Sequence, residues 1–486
     1  MRKKCLKFTM VCSWKRGGNK MKTLHIAFRN IFRNSRRSLM TILAITVSAV
    51  AVHLFGGYVA NIVYGMQTNY VCDNGHLQVY QEGFFDYGAG NPAAYGISRY
   101  QNLIKLITQD PQLKDHITIA TPILKFYGIA GNFKKDASKT FFGIGYVPSD
   151  LKKMRKWNDY DMKIRKSRLN RIVLSDDDID GGIIGEGMAR MLLLCEELNV
   201  KNCKGKLPEK SDEKPAATED FSFLEESNGL NDIPESTDKR PRLDLLAATA
   251  AGAPNIVTMY VNNTEVQGVK ALDDNYAAMH ISLAQRLLYG KGEKKATGIV
   301  IQLRHTKDIP FVKARLEKLF DENRLDLEFK DYTQIVPMYR QVISFLFALF
   351  SFIATIMGVI VLFTIINTMT MSVMERVDEI GTIRALGLRR SGILGQFIAE
   401  GLLLGVLGAT LGTVVSVIAA TGINSAGIMW TPPNYVDPVP LKIMVFLNPL
   451  LAPGCWLGLV LLAVASSIFP ARKAGKMVIV DALRHV

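Results

Sequence analysis

The chain has 486 residues, 48% of them hydrophobic, and a formal charge of +15. The apolar residues gather into runs near 38–66, 340–371, 393–423 and 445–469, each long enough to supply the ~20 residues a helix needs to cross a hydrocarbon core of ~30 Å. This excludes most soluble enzymes, and the basic residues flank the runs instead of forming a face suited to nucleic acid.

Residues 1–37 form a basic N-terminal segment. No Asp or Glu precedes Asp73, while Arg29, Arg33, Arg36 and Arg37 crowd the start of the first run, which places this end in the cytoplasm. Residues 1–20 show no periodicity and Met21 opens the patterned sequence, so the first twenty are expected to be an extended start or a disordered lead. The apolar stretch Phe8–Cys12 falls short of the ~7–15 residues of a signal-peptide core, and span one, 38–66, is expected to act as an uncleaved anchor. Its helical pattern continues towards Val71, and His53 within it is expected to be neutral and bonded to a helix neighbour.

Residues 67–338 read as an α+β domain on the opposite side of the membrane. Strand-like runs rich in β-branched and aromatic residues occupy 117–120, 140–147, 256–261 and 298–303. Helix-like runs occupy 100–108, 186–198, 282–289 and 310–320. Residues 204–242, loaded with Lys, Glu, Asp, Ser and Pro, cannot bury enough apolar surface to order themselves and are expected to be a flexible insertion dividing the domain into two lobes. Cys195 and Cys203 are able to pair in an oxidising compartment, and the seven histidines show no metal-ligand spacing.

Span two, 339–371, extends an apolar pattern that starts at Ile335. Spans one and two both exceed the bilayer, so they either project outward as a stalk or tilt. Residues 372–392 form a cytoplasmic connection with the marks of a short helix. Glu375, Asp378 and Glu379 open it and Arg384 closes it, as the helix dipole favours, with Gly387 placed to end it and Val377, Ile380 and Ile383 forming an apolar arc. Such a helix suits docking to a soluble partner, a plain connector or lying on lipid. Span three, 393–423, carries Gly401, Gly405, Gly408 and Gly412, a small-residue stripe for close helix packing. Glu400 in the same span is expected to pair with nearby basic residues. An extracytoplasmic loop, 424–444, leads to span four, 445–469, and a basic cytoplasmic tail, 470–486. Gly-Lys occurs at Gly205, Gly290 and Gly475 without a following Ser or Thr, so no phosphate-binding loop is present, and no nucleophile is paired with a base. No enzyme activity, bound cofactor or metal is expected of the chain itself.

Three segments together resemble FtsX-like permeases of the MacB and lipoprotein-releasing (LolC/LolE) type. These are Leu24–Ser38, Glu375–Arg390 followed by Gln396–Gly401, and Phe469–Ala474 with Asp481–Arg484. Within the middle domain, Gly75–Tyr80, Leu246–Val261, Leu272–Asp274 and Ala284-Gln285 resemble the MacB-like periplasmic domain in its lipoprotein-releasing form. The resemblance covers nearly all of 21–486 and departs at 204–242. MacB-like proteins carry a fused ATPase domain, and none is expected here. The resemblance implies an inner-membrane ABC transporter permease that pairs with a second permease, identical or not, and sits on two copies of a separate ATPase holding ATP and Mg. It implies work by mechanotransmission on a lipoprotein or peptide cargo at the membrane lipid, with a periplasmic acceptor, and lipoprotein release first among the cargoes. Glu379, Ile380, Gly381, Arg384, Ala385, Leu386 and Gly387 match the segment that contacts the ATPase in that family. A MacB-type exporter of peptides or antibiotics and an FtsX-like regulator of cell-wall hydrolases are the alternatives.

Overall fold

The computed structural model describes residues 20–88, 90–160, 174–200, 203, 238–431, 438–446 and 450–477. In chain order its main elements are α1 (Lys20–Arg33), α2 (Ser35–Asn74), β1 (Leu77–Gln81), α3 (Tyr100–Gln109), β2 (Ile117–Asn132), β3 (Ala137–Tyr146), α4 (Pro148–Met154), β4 (Gly181–Ile184) and α5 (Glu186–Met191). There follow β5 (Arg242–Ala248), β6 (Pro254–Thr264), β7 (Tyr276–His280), α6 (Ile281–Tyr289), β8 (Gly298–Leu303), α7 (Ile309–Glu322), β9 (Leu327–Asp331), α8 (Pro337–Met374), α9 (Val377–Ala385), α10 (Arg390–Ala426) and α11 (Leu451–Lys476). The chain divides into a sheet unit, Met66–Pro337 with Thr431–Val439, and a helical unit made of the remainder.

In the helical unit α2, α8, α10 and α11 are long and apolar enough to cross a membrane. At about 1.5 Å per residue the 40 residues of α2 extend about 60 Å, twice a hydrocarbon core. The helices overrun the predicted spans at both ends except the last, which starts at Leu451 and not at 445. Residues 441–446 are instead irregular and packed on α2: Ile443 and Val445 are buried, the Met444 N–H donates to the Gly57 carbonyl at 3.1 Å, and the Asn424 side chain both accepts from and donates to Ile443. With its backbone groups paired this way, the segment gains by burial what a helical turn would have supplied. A Cβ on Gly57 would lie 3.1 Å from Val445 N, so the close approach needs glycine.

The four glycines of α10 divide into two contacts. A Cβ at Gly401 or Gly405 would meet Ser467 or Ala463 of α11 at 2.6 and 2.7 Å. One at Gly408 or Gly412 would meet Ile45 or Ala49 of α2 at 2.6 and 2.3 Å. Small residues thus let α10 lie against two neighbours at once, backbone close to backbone. By contrast, only 6% of the most apolar stretch of α8 is buried within the chain, against 33% for α10, and Phe345, Phe347, Phe352 and Phe363 stand exposed along it.

The sheet unit is built around the long strand β2. Its second half, Leu124–Asn132, pairs with β3, and Ile129–Gly131 pairs with β5. The order β2–β3–β7–β4–β6–β5 returns to β2, a closed six-stranded ring that leaves no free edge. Phe126, Phe141, Leu243, Leu245, Met259 and Met279 fill its core, joined by Ile281, Ala284 and Leu288 of α6 at helical spacing. The first half of β2, Ile117–Ile123, pairs with β8, which continues to β1 and β9. This second sheet buries Leu77, Val79, Ile299 and Ile301 with α3 (Leu103, Ile107) and α7 (Val312, Leu316).

Two expectations need correction here. The unit does have two cores, but they part along β2 and not at 204–242. Residues 204–237 lie outside the described residues, whereas Arg240 is bonded to Asp178 and Asn262 and Arg242 already opens β5. The helix expected over 186–198 stops at Met191: Leu192 and Leu194 turn into the barrel core, with Leu193 at φ 59°. A disulfide joins Cys195 to Cys203, with Cα atoms 6.1 Å apart.

Candidate functional site: the basic end of the helical unit

The residues singled out between spans two and three form α9. Asp378 and Glu379 lie in its first turn and Arg384 in its last. Its end is a Schellman motif: Gly387 adopts φ 94°, its N–H donates to the Arg384 carbonyl at 3.0 Å, and the Leu388 N–H reaches the Ile383 carbonyl at 3.2 Å. Ile380 and Gly381 are buried, and Ile380 shares an apolar cluster with Ile31 of α1, Phe397 of α10 and Ala471 of α11. These two residues hold the helix in place and present nothing outward. Ala385, Leu386 and Gly387 are exposed, Leu386 by 58%. Arg384 donates to the carbonyl of Met477, just past α11.

Charges fix the other side of α9. Arg33 of α1 makes a two-pronged bond to Glu379 at 3.1 and 2.9 Å. Arg37, one turn on, pairs with Glu375 at 2.5 Å. Deeper in, Glu400 of α10 meets Arg376 at 2.9 Å and accepts from the Asn30 amide at 2.6 Å. The expected partner of Glu400 is therefore a basic residue of the same loop. The outer pairs are well exposed, but Arg376 and Glu400 are 5 and 4% exposed. Arg37 Nη1 and Arg376 Nε are buried beside a cavity of about 20 Å³ with no acceptor among the described residues. The network thus holds more donors than it uses. In the middle of α2, His53 Nδ1 lies 2.7 Å from the Ala49 carbonyl, the helix-neighbour bond expected of it.

Asn30, Arg33, Arg37 and Glu375 were not among the expected site residues. A signal existed: Arg33 and Arg37 are four residues apart, as are Glu375 and Glu379, and equal spacing of opposite charges suits a ladder between two antiparallel segments.

The sheet unit holds a comparable cluster. Arg155 bonds Asp73 at the end of α2 at 2.9 Å and Glu265 after β6 at 3.0 Å, with its Nη2 also on Glu265 at 3.3 Å. Burial works against the Arg155 charge, and the two carboxylates more than reverse that, raising its pKa. Nearby, His76 accepts from the Leu303 N–H at 3.0 Å and lies edge-on to Trp157. Burial pushes its pKa down to about 3, against a smaller opposing pull from Asp159 and Asp308. Among the described residues no three His, Cys, Asp or Glu side chains are grouped to hold a metal.

Residues 344–479 match the FtsX-like permease C-terminal family. The chain is 27% identical over 214 residues to an ABC transporter permease of Methanocaldococcus jannaschii, covering 44% of this chain and 51% of that one. It is 25% identical over 248 residues to the lipoprotein-releasing system transmembrane protein LolC of Neisseria meningitidis serogroup B, covering 49% and 58%. With the macrolide export ATP-binding/permease protein MacB of Bdellovibrio bacteriovorus it shares 27% over 229 residues, covering 45% and 32%. The chain thus spans from about a third to less than two thirds of the length of these relatives.

Proposed function

We propose, from the match of residues 344–479 to the FtsX-like permease family and the likeness to MacB and LolC, that the chain is an FtsX-like ABC permease, the non-catalytic membrane subunit of a transporter powered by a separate ATPase dimer. That dimer holds ATP and Mg and docks on α9 from the cytoplasm. The observation that carries this reading is α9 itself: a short capped helix, buried along Ile380 and Gly381, with Arg384, Ala385, Leu386 and Gly387 at its outward end. Glu379 lies beside that edge and orients it through Arg33. Both chain ends and α9 face the cytoplasm of the inner membrane, and the sheet unit faces away from it, as the basic flanks of the spans favour.

The described spans offer few charges to line an aqueous path, and Glu400 is paired with Arg376 at the bundle end. The chain is therefore built to transmit motion to the sheet unit, with α2 as the lever because its last turns carry Cys72 and Asp73 into that unit. The open phenylalanine face of α8 supplies the surface for a second permease, identical or related. Release of lipoproteins from the membrane lipid towards an extracytoplasmic acceptor is the favoured task. Its support is the alignment with LolC, 25% identical over 49% of this chain, together with the likeness of Gly75–Tyr80 and Leu246–Val261 to the lipoprotein-releasing form of the domain.

Purification of the assembled complex in mild detergent, with mass spectrometry of what comes with it, tests both parts. The account expects an ABC ATPase and an acylated protein, with the ATPase lost in Leu386→Asp. An ATPase stimulated by macrolides or peptides with no lipoprotein bound would favour the exporter, and a co-purified cell-wall hydrolase the regulator.

A further inference from the structure

Three ion pairs at the basic end of the helical unit are graded from wet to dry. Arg33–Glu379 and Arg37–Glu375 have side chains between 39 and 48% exposed, while those of Arg376 and Glu400 are 6 and 5% exposed. One outer pair joins the end of α1 to α9 and the other joins the first turn of α2 to the α8–α9 junction, and they run antiparallel, residue 33 to 379 and residue 37 to 375. The inner pair gathers α1 through Asn30, the α8–α9 junction through Arg376 and α10 through Glu400. Ile31 and Ile380 add an apolar contact to the same join. The junction before α9 makes no side-chain cap and is held by local backbone bonds, Arg376 N–H to the Val373 carbonyl at 3.1 Å and Ile380 N–H to the Arg376 carbonyl at 2.9 Å.

We propose that α1, the first turn of α2 and α9 form one mechanical piece, joined by Arg33–Glu379 and Arg37–Glu375 and turning on the buried Arg376–Glu400 pair. A displacement of α9 then enters α2 at its N-terminal end, through α1 and through Arg37. The dry pair is the pivot because an ion pair withdrawn from water resists separation, whereas screened surface pairs exchange partners at little cost. Arg37 Nη1 and Arg376 Nε, buried donors with no acceptor among the described residues, allow each carboxylate to move between nitrogens of its own arginine while the pair stays together. This inference rests on the proposed docking at α9, and Arg37, Glu375, Arg376 and Glu400 act in it as positioning residues.

The test uses the full chain and its co-purified ATPase, with two readouts. The first is hydrogen exchange of the amides of residues 25–33. Arg37→Glu and Glu375→Arg, made singly, should speed that exchange roughly fivefold or more, and the exchanged pair should restore it to within about twofold. The second is the ratio of cargo-stimulated to basal ATP hydrolysis, which should fall at least about threefold in each single variant and recover in the exchanged pair. Arg376→Met combined with Glu400→Met leaves no lone buried charge, so the complex should assemble but lose stimulation. Single variants with unchanged α1 exchange, or an exchanged pair no better than either, would overturn the linkage. Full stimulation in the double-methionine variant would overturn the pivot. Absence of any ATPase from the wild-type preparation would sink the docking proposal instead, and the α1 exchange still decides the linkage.

Discussion

Each unit of the molecule buries one arginine where several elements meet, and the two are solved differently. In the sheet unit Arg155 spends its guanidinium on two carboxylates, Asp73 and Glu265, with bonds from Nε and from both terminal nitrogens. In the helical unit Arg376 has one carboxylate, Glu400, and its Nε has no acceptor. The first is a saturated clamp holding the last turn of α2 against α4 and β6. The second is under-committed, as a joint that shifts its bonds has to be. Burial alone does not distinguish a clamp from a pivot; the count of satisfied donors does.

The comparison can be broken by removing each arginine in turn. Arg155→Met leaves the buried Glu265 and the partly buried Asp73 without their guanidinium, and a loss of about 4 kcal/mol is expected, read from urea unfolding of the detergent-solubilised chain. Arg376→Met should cost less, about 3 kcal/mol, because it strands one carboxylate where Arg155→Met strands two, and Glu400 keeps the Asn30 bond. Equal losses, or a larger one at Arg376, would remove the distinction.

A smaller effect sharpens the same contrast through pH. His76 has a folded pKa of about 3 against an ordinary value near 6.5, so the unfolded chain binds the extra proton. The stability it supports is complete above about pH 6.5 and is lost as pH falls towards 3. Between pH 7 and pH 5 the sheet unit should lose about 2 kcal/mol, followed by the fluorescence of Trp157, whose ring lies against His76. His76→Gln should flatten that slope. A slope unchanged by the substitution would mean that other groups set it.

Much of this architecture is legible in the sequence, for physical reasons that vary by element. The four spans announce themselves because length and hydropathy are local properties, as do β3, β6 and β8 with their β-branched and aromatic runs. The start of α9 and its stop at Gly387 are equally local, written in a dipole pattern and a residue that tolerates φ 94°. The glycines of α10 give away a close approach but not its partners, since α2 and α11 lie far off in sequence. The barrel closure through β2 and the start of span four were not legible. Both depend on long-range burial: β4 is a four-residue strand set between β6 and β7, and Val445 is apolar enough for a span yet is used in a loop against α2. The charge ladder from α1 to α9 lay between these cases, with its spacing visible and its pairing not.

The central claim is that α9 and the sheet unit face opposite compartments, and thiol labelling tests it most directly. With the native unpaired thiols replaced, Leu386→Cys and Tyr87→Cys put a probe on the exposed edge of α9 and on an exposed aromatic of the sheet unit. An impermeant maleimide added to intact spheroplasts should modify position 87 at once and position 386 only after lysis. Labelling of 386 with protection of 87 would contradict the account.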